Sequence, residues 1–198
     1  MWIVPKTLKF AALYPKHLDL NGDHGNLLVL QKRLQWRDVE AEIVPVVKVQ
    51  DLAEFDFILL GHGTNDAWAE VLKLDPELIS RVVDFSRAGK PVMAISSGYE
   101  HLIQKLEPAK VQHSEHVSEF REVDGVVGYL NTDVGLPEVR TIGQTLLTLL
   151  HGPLLAKNPE LADKIISDAG WCDVGVTNNQ TNSVDELAKA SRKIAFED

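Results

Sequence analysis

Pro91-Val92-Met93-Ala94-Ile95-Ser96-Ser97-Gly98-Tyr99-Glu100 is the stretch from which the fold is read. Pro91 to Ile95 is a short apolar run, the pattern of a strand buried on both faces. Tyr99 to Leu106 has the spacing of a helix. Only Ser96, Ser97 and Gly98 lie between, so strand passes to helix through a sharp turn. Working outward, Phe55 to Leu60 predicts a second buried strand that stops at Gly61-His62-Gly63. Pro76 to Ala88 predicts a helix closed by Gly89. Upstream, Leu8 to Tyr14 predicts a strand and Leu18 to Asn26 a tight, Gly- and Asp-rich loop. A helix then runs from Asn26 to about Arg37, with Leu27, Leu30 and Leu34 on one face and Asp23 or Asn26 as its cap. Ile43 to Val47, interrupted by Pro45, suits an edge strand. Downstream, Val126 to Tyr129 and Thr145 to Leu150 predict strands and Pro159 to Ala169 a helix. Ser183-Val184-Asp185-Glu186 has the form of a capping box, opening a last helix to about Phe196 that is expected to pack loosely. Glu107 to Asp124 is polar and carries no assigned element. Strands alternate with helices, so the class is α/β with a mostly parallel sheet.

The 198 residues fit one domain with a short appendage. Residues 1–172 are expected to form that domain, and 173–198 a C-terminal loop and helix. Basic residues number 20 and acidic residues 29, a net charge of −9, which argues against nucleic acid or an anionic membrane as main partner. Cys172 is the single cysteine, so no internal disulfide framework or CxxC motif exists. Met1 to Lys6 has no signal-type apolar run, and no stretch reaches the ~18–20 apolar residues of a membrane span. A cytoplasmic protein is expected. Asn179-Gln180-Thr181 matches a glycosylation sequon by chance in that setting.

Ligands of open α/β sheets bind beyond the carboxyl ends of strands. Three segments leave such ends: Gly61 to Asp66, Ser96 to Glu100, and Leu150 to Pro153. Small residues two before and two after Ser96 permit a nucleophile elbow, with Ala94 standing where GxSxG has its first glycine. An ordinary βα loop, with Ser96 or Ser97 as N-cap, fits the same spacing. Gly61, His62 and Gly63 form a turn whose amides are candidate oxyanion donors, together with Ser97, or a plain turn. His151 is a candidate general base toward Ser96, or a structural histidine at a strand end. His113-Ser114-Glu115-His116 lacks a helical frame and a third ligand, so no metal is expected, and no cofactor motif is present. Cys172 beside Trp171 reads as a packed small hydrophobe.

These residues resemble the GatD-type glutaminase subunits of lipid II isoglutaminyl synthase, within the CobB/CobQ-like branch of class I glutamine amidotransferases. Leu13-Tyr14-Pro15 and Leu18 to Asn26 are similar to that family's LYP…LNLYGDxGN, and Gln31 to Arg37 to its helix ending in WRG. Val127 to Asn131 resembles VGYEN, and Leu150 to Asp163 is similar to LHGPLLPKNPELAD. The likeness covers most of the chain to about residue 170.

The resemblance implies a flavodoxin-like α/β domain. It implies an elbow cysteine that attacks the amide of glutamine, helped by the histidine of LHGP, which is His151 here. It also implies ammonia transfer to a Mur-ligase-like synthetase partner that amidates the peptidoglycan stem peptide. The departures are as informative. The family's CGGYQ reads Ser96-Ser97-Gly98-Tyr99-Glu100, so serine takes the nucleophile's place, and Tyr99 and Glu100 join the candidate pocket. The family's GGGQD turn begins Gly61-His62-Gly63. The segments between Leu106 and Val126, and between Asn131 and His151, are shortened. A serine hydroxyl is a far weaker acid than a thiol and needs an oriented base. Pro153 stands where a carboxylate would orient the histidine. A glutaminase-like subunit with lost or impaired activity is therefore expected. An active Ser96–His151 amidase, or a cobalamin-type amidotransferase, is the alternative.

Overall fold

The structure is a computed structural model and describes residues 7–48, 51–107, 111–175 and 179–196. The Met1–Lys6 segment, read above for a signal sequence, lies outside the described residues, as do residues 108–110 and 176–178 of the two unassigned or loop stretches.

Strand β1 (Leu8–Leu13) leads through helix α1 (Gly25–Gln35) to β2 (Ala41–Val46). Strand β3 (Phe57–Leu60) is followed by α2 (Asn65–Leu74) and α3 (Leu78–Arg87), then β4 (Val92–Ile95) and α4 (Ser97–Leu106). Strands β5 (His113–Val123) and β6 (Val126–Val134) form a long hairpin. Strands β7 (Val139–Ile142), β8 (Thr145–Thr148) and β9 (Leu150–His151) precede α5 (Leu154–Lys157), α6 (Pro159–Asp168) and α7 (Asn179–Ile194).

The main sheet has the order β2-β1-β3-β4-β8-β7. All its pairings are parallel except β7 with β8. This is a mostly parallel, helix-flanked α/β sheet of flavodoxin-like order, as expected. Strands β3, β4 and β8 are buried along their whole length, which is why they read as unbroken apolar runs. Pro45 sits in β2 at the sheet edge, where no further ladder partner needs its missing N–H. The chain moves from β1 outward to β2, then returns to β3 on β1's other side. That reversal opens a crevice at the carboxyl ends of β1 and β3.

Several expectations are corrected. Asp23 and Asn26 do not cap α1: His24 holds the N-cap position, and the Asp23 carboxylate instead accepts the His62 amide. Asn26 spans to the Gly152 carbonyl and the Leu155 amide. Helix α2 was not anticipated; its Thr64 cap accepts from the Ala67 amide. The polar stretch before Asp124 is β5, exposed along most of its length, so no buried face imprints a hydrophobic period on it. Thr145 to Leu150 is not one strand. Its first four residues are β8, while Leu150 and His151 pair with β6 in a second, three-stranded antiparallel sheet. Ser183 lies inside α7, which begins at Asn179, so the capping box does not open that helix.

Helix α7 is not loosely held. Arg33, with a side chain only 3% exposed, bonds both Asp163 on α6 and Asp185 on α7 at 2.6–2.7 Å. Arg192 on α7 reaches Glu160. Replacing Arg33 by Ala strips two carboxylates of a shared cation. Unfolding free energy should fall by about 3 kcal/mol, the low end for breaking a buried pair because both carboxylates keep some water. Urea melts of parent and Arg33→Ala check it; a change under ~1 kcal/mol contradicts the assignment.

Candidate functional site

Ser96 follows β4 with φ 48° and ψ −113°, a left-handed backbone rare for a residue with a Cβ. Such strain at a strand-to-helix turn is the mark of an elbow that lifts one side chain clear of the backbone. Helix α4 begins at the next residue. Gly98 lets it lie against β3: a Cβ there would stand 2.4 Å from the Leu60 carbonyl oxygen and 2.8 Å from that of Gly61. Gly61 is equally confined: a Cβ there would stand 2.1 Å from the Leu18 carbonyl oxygen.

Ser97 Oγ is the best-connected atom of the site. It accepts from the Gly63 amide at 3.0 Å and from Trp68 Nε1 at 2.7 Å. Its own proton faces His62 Nδ1 at 2.9 Å and the Gly63 carbonyl at 3.0 Å. The Ser97 amide also donates to His62 Nδ1, at 3.4 Å. A ring nitrogen that accepts from an amide carries no proton, so this bonding assigns His62 as the neutral Nε2–H tautomer. Burial, and secondarily the neighbouring His151, hold its pKa down to about 4.

His151 stands edge-on to His62, with ring centroids 4.8 Å apart. Its Nε2 lies 3.0 Å from the Asn131 carbonyl, which only accepts, so Nε2 bears the proton. Its Nδ1 then accepts from Asn21 Nδ2 at 2.6 Å. Burial lowers its pKa, the Asn131 carbonyl partly offsetting this. Both nitrogens are thus engaged. Ser96 Oγ makes no hydrogen bond with any described residue, so the Ser96–His151 dyad is not formed.

Two amides of the turn are also engaged. The His62 amide is taken by Asp23 Oδ2 at 2.7 Å and the Gly63 amide by Ser97 Oγ. Asp23 is fully buried, and burial pushes its pKa up to about 7 against the pull of the His62 and Gly152 amides. Tyr99 is fully buried with Arg140 beside its hydroxyl, so it packs beneath the site rather than lining it. Glu100 is half-buried, and its charged neighbours are Asp133 and His113 of the hairpin. Burial, then Asp133, raises its pKa. Asn21, Asp23, Trp68 and the Asn131 carbonyl complete the site and were not anticipated. Asp23 sits in the stretch that resembled GDxGN, which was its one signal, and Asn21 immediately precedes that stretch. Among the described residues, no three His, Cys, Asp or Glu side chains come together to hold a metal. No described helix is long and apolar enough to cross a membrane.

Comparison with known proteins agrees with this architecture. The GatD subunit of glutamine-hydrolysing lipid II isoglutaminyl synthase from Staphylococcus aureus strain N315 is 22% identical over 194 residues, spanning 77% of this chain and 80% of that one. A glutamine amidotransferase from Thermotoga maritima superposes with TM-score 0.52 over 96% of this chain and 94% of its own, at 14% identity. A candidate transcriptional regulator of Vibrio parahaemolyticus superposes with TM-score 0.51 over 93% and 100%, also at 14% identity. No family model matches the chain. The chain has a glutamine amidotransferase-type fold and distant similarity to GatD.

The half-buried His62 and the buried Asp23 shape stability against pH. Between about 4 and 6.5 the unfolded chain protonates His62 and the folded one does not, so this group makes stability fall as pH falls. Asp23 acts oppositely. Between 3.8 and about 7 the folded chain holds the extra proton, so its contribution is lost as pH rises through that range. From pH 6.5 to 4, His62→Gln should therefore lose stability less steeply than the parent, and Asp23→Asn more steeply. Urea melts at a series of pH values measure both slopes; the reverse order contradicts the two assignments.

Proposed function

We propose that this chain is a glutamine amidotransferase-type subunit whose glutaminase chemistry is lost or strongly impaired. Ser96 stands at the place of the family's cysteine. In this reading the chain pairs with a Mur-ligase-like synthetase and serves in the amidation of a cell-wall precursor. The observation that carries the first half is the state of the would-be machinery. The hydroxyl at the elbow has no base, because both nitrogens of His151 are committed to Asn21 and Asn131.

Serine at that position makes the vacancy decisive. A thiol near pKa ~8.5 yields thiolate with modest help, whereas a hydroxyl needs a base within hydrogen-bond reach during attack. The elbow strain at Ser96 supports descent from a working nucleophile, since strain of this kind costs about 1–3 kcal/mol and collects at functional sites. The pairing is supported by the relative in S. aureus, which is a subunit of a synthase. Glutamine or a related small amide is the ligand class in this reading.

Ammonia release from L-glutamine by the purified chain, alone and with a co-expressed Mur-ligase-like subunit, is the test. Parent and Ser96→Ala should be indistinguishable. Turnover that Ser96→Ala abolishes overturns the loss of activity, and a chain that never co-elutes with such a subunit overturns the pairing.

A further inference from the structure

Acyl transfer at an elbow needs more than a nucleophile. The carbonyl oxygen becomes an oxyanion, and the amide following the nucleophile is a principal donor to it. In this chain that amide belongs to Ser97, and it already has an acceptor: Nδ1 of His62 at 3.4 Å. We infer that the His62 side chain is a built-in plug, occupying the oxyanion position of a masked acyl-transfer site at residue 96. The inference rests on the reading of residue 96 as the nucleophile position, and it concerns the hole rather than the nucleophile.

Four observations hold the plug in place. Ser97 Oγ bonds the same imidazole nitrogen at 2.9 Å, so two groups of one residue grip it. The His62 main chain is fixed by its amide bond to Asp23 and by its carbonyl, which accepts from the Leu20 amide. The far side of the ring rests on His151, itself held by Asn21 and Asn131. The other turn amide within reach, that of Gly63, is spent on Ser97 Oγ. A neutral imidazole with its lone pair aimed at the first turn of α4 satisfies the donor that an oxyanion would otherwise claim. Restoring a thiol at residue 96 leaves the hole filled. Removing the imidazole opens it.

The probe is p-nitrophenyl acetate, which carries an activated acyl group and needs no glutamine recognition. In a Ser96→Cys chain the thiolate, its proton released to solvent, attacks the acetyl carbonyl. A C–S bond forms and the carbonyl pair moves to oxygen. Collapse breaks the ester C–O bond and expels p-nitrophenolate, leaving S-acetyl-cysteine. Burst release is followed for Ser96→Cys alone and combined with His62→Gly or His62→Ala. Peptide masses separate the adduct at residue 96 from any at Cys172.

Both double variants should acylate residue 96 at least ~10-fold faster than Ser96→Cys, and up to ~10²-fold, the scale of one oxyanion donor. Equal rates in chains of matched melting temperature overturn the plug. Nitrogen-15 NMR of His62 in the parent gives a reading that no variant's folding affects. Nδ1 should be unprotonated at neutral pH; an Nδ1–H tautomer overturns the inference, because such a nitrogen cannot accept from Ser97. Ammonia release from L-glutamine by the same double variants separates the two readings. Acylation by the ester without turnover of glutamine upholds the plug and counts against glutamine as ligand.

Discussion

The first turn of α4 must lie directly on the end of β3, and the arrangement of the site follows from that approach. Gly98 has no Cβ to push the Leu60 and Gly61 carbonyls away, so the helix start and the 61–63 turn share one small volume. Ser97 Oγ then stitches the two together, drawing in Trp68 from α2. With the turn pinned there, the side chain of its middle residue points toward the helix N-terminus and His151. The imidazole at residue 62 therefore stands against the Ser97 amide, where an elbow's acyl oxygen would be held. The plug is a consequence of backbone packing combined with a single residue choice.

Protonation states follow from the same geometry. His62 has its Nδ1 facing two donor groups and a histidine neighbour, so a proton there would meet only repulsion and lost hydrogen bonds. Asp23 lies on the other side of the turn, where two amides favour the carboxylate but complete burial disfavours it more. One buried acid and one half-buried base thus sit back to back across a three-residue turn, burial favouring the neutral form of each. A neutral interior needs no counter-ion, and it lets this crevice persist without the charged partner that a working base would require.

The α/β class, the parallel strands and the elbow were legible because strands buried on both faces leave continuous apolar runs, and because small residues cluster where strand meets helix. The hairpin was not, since β5 has no buried face to impose a period. Nor was the division of Thr145 to Leu150 between two sheets. Leu147 and Leu150 look alike to a hydrophobic pattern, yet one pairs with β4 and the other with β6. Ser96 and His151 were named from spacing, and spacing could not say where ring nitrogens point. Their hydrogen bonds run to Asn21 and Asn131, far away in sequence, and only the folded chain brings these together.

Ser97 shows the limit most clearly. A serine at the first position of a helix suggests a cap, and a cap would spend its oxygen on its own helix. Here the oxygen is spent on His62, Gly63 and Trp68, and the amide is spent on the same His62 nitrogen. The difference is set by residue 62. With glycine there, the Ser97 amide would face open crevice and remain available to a ligand carbonyl. With histidine it is satisfied internally. In the proposed reading two residue choices with separate physical effects bear on one reaction: serine at residue 96 weakens the attack, and histidine at residue 62 takes the donor that would stabilise the oxyanion. Either alone would slow acyl transfer. Together they would oppose both halves of the reaction, attack and oxyanion stabilisation, which is the combination that the proposed loss of glutaminase activity calls for.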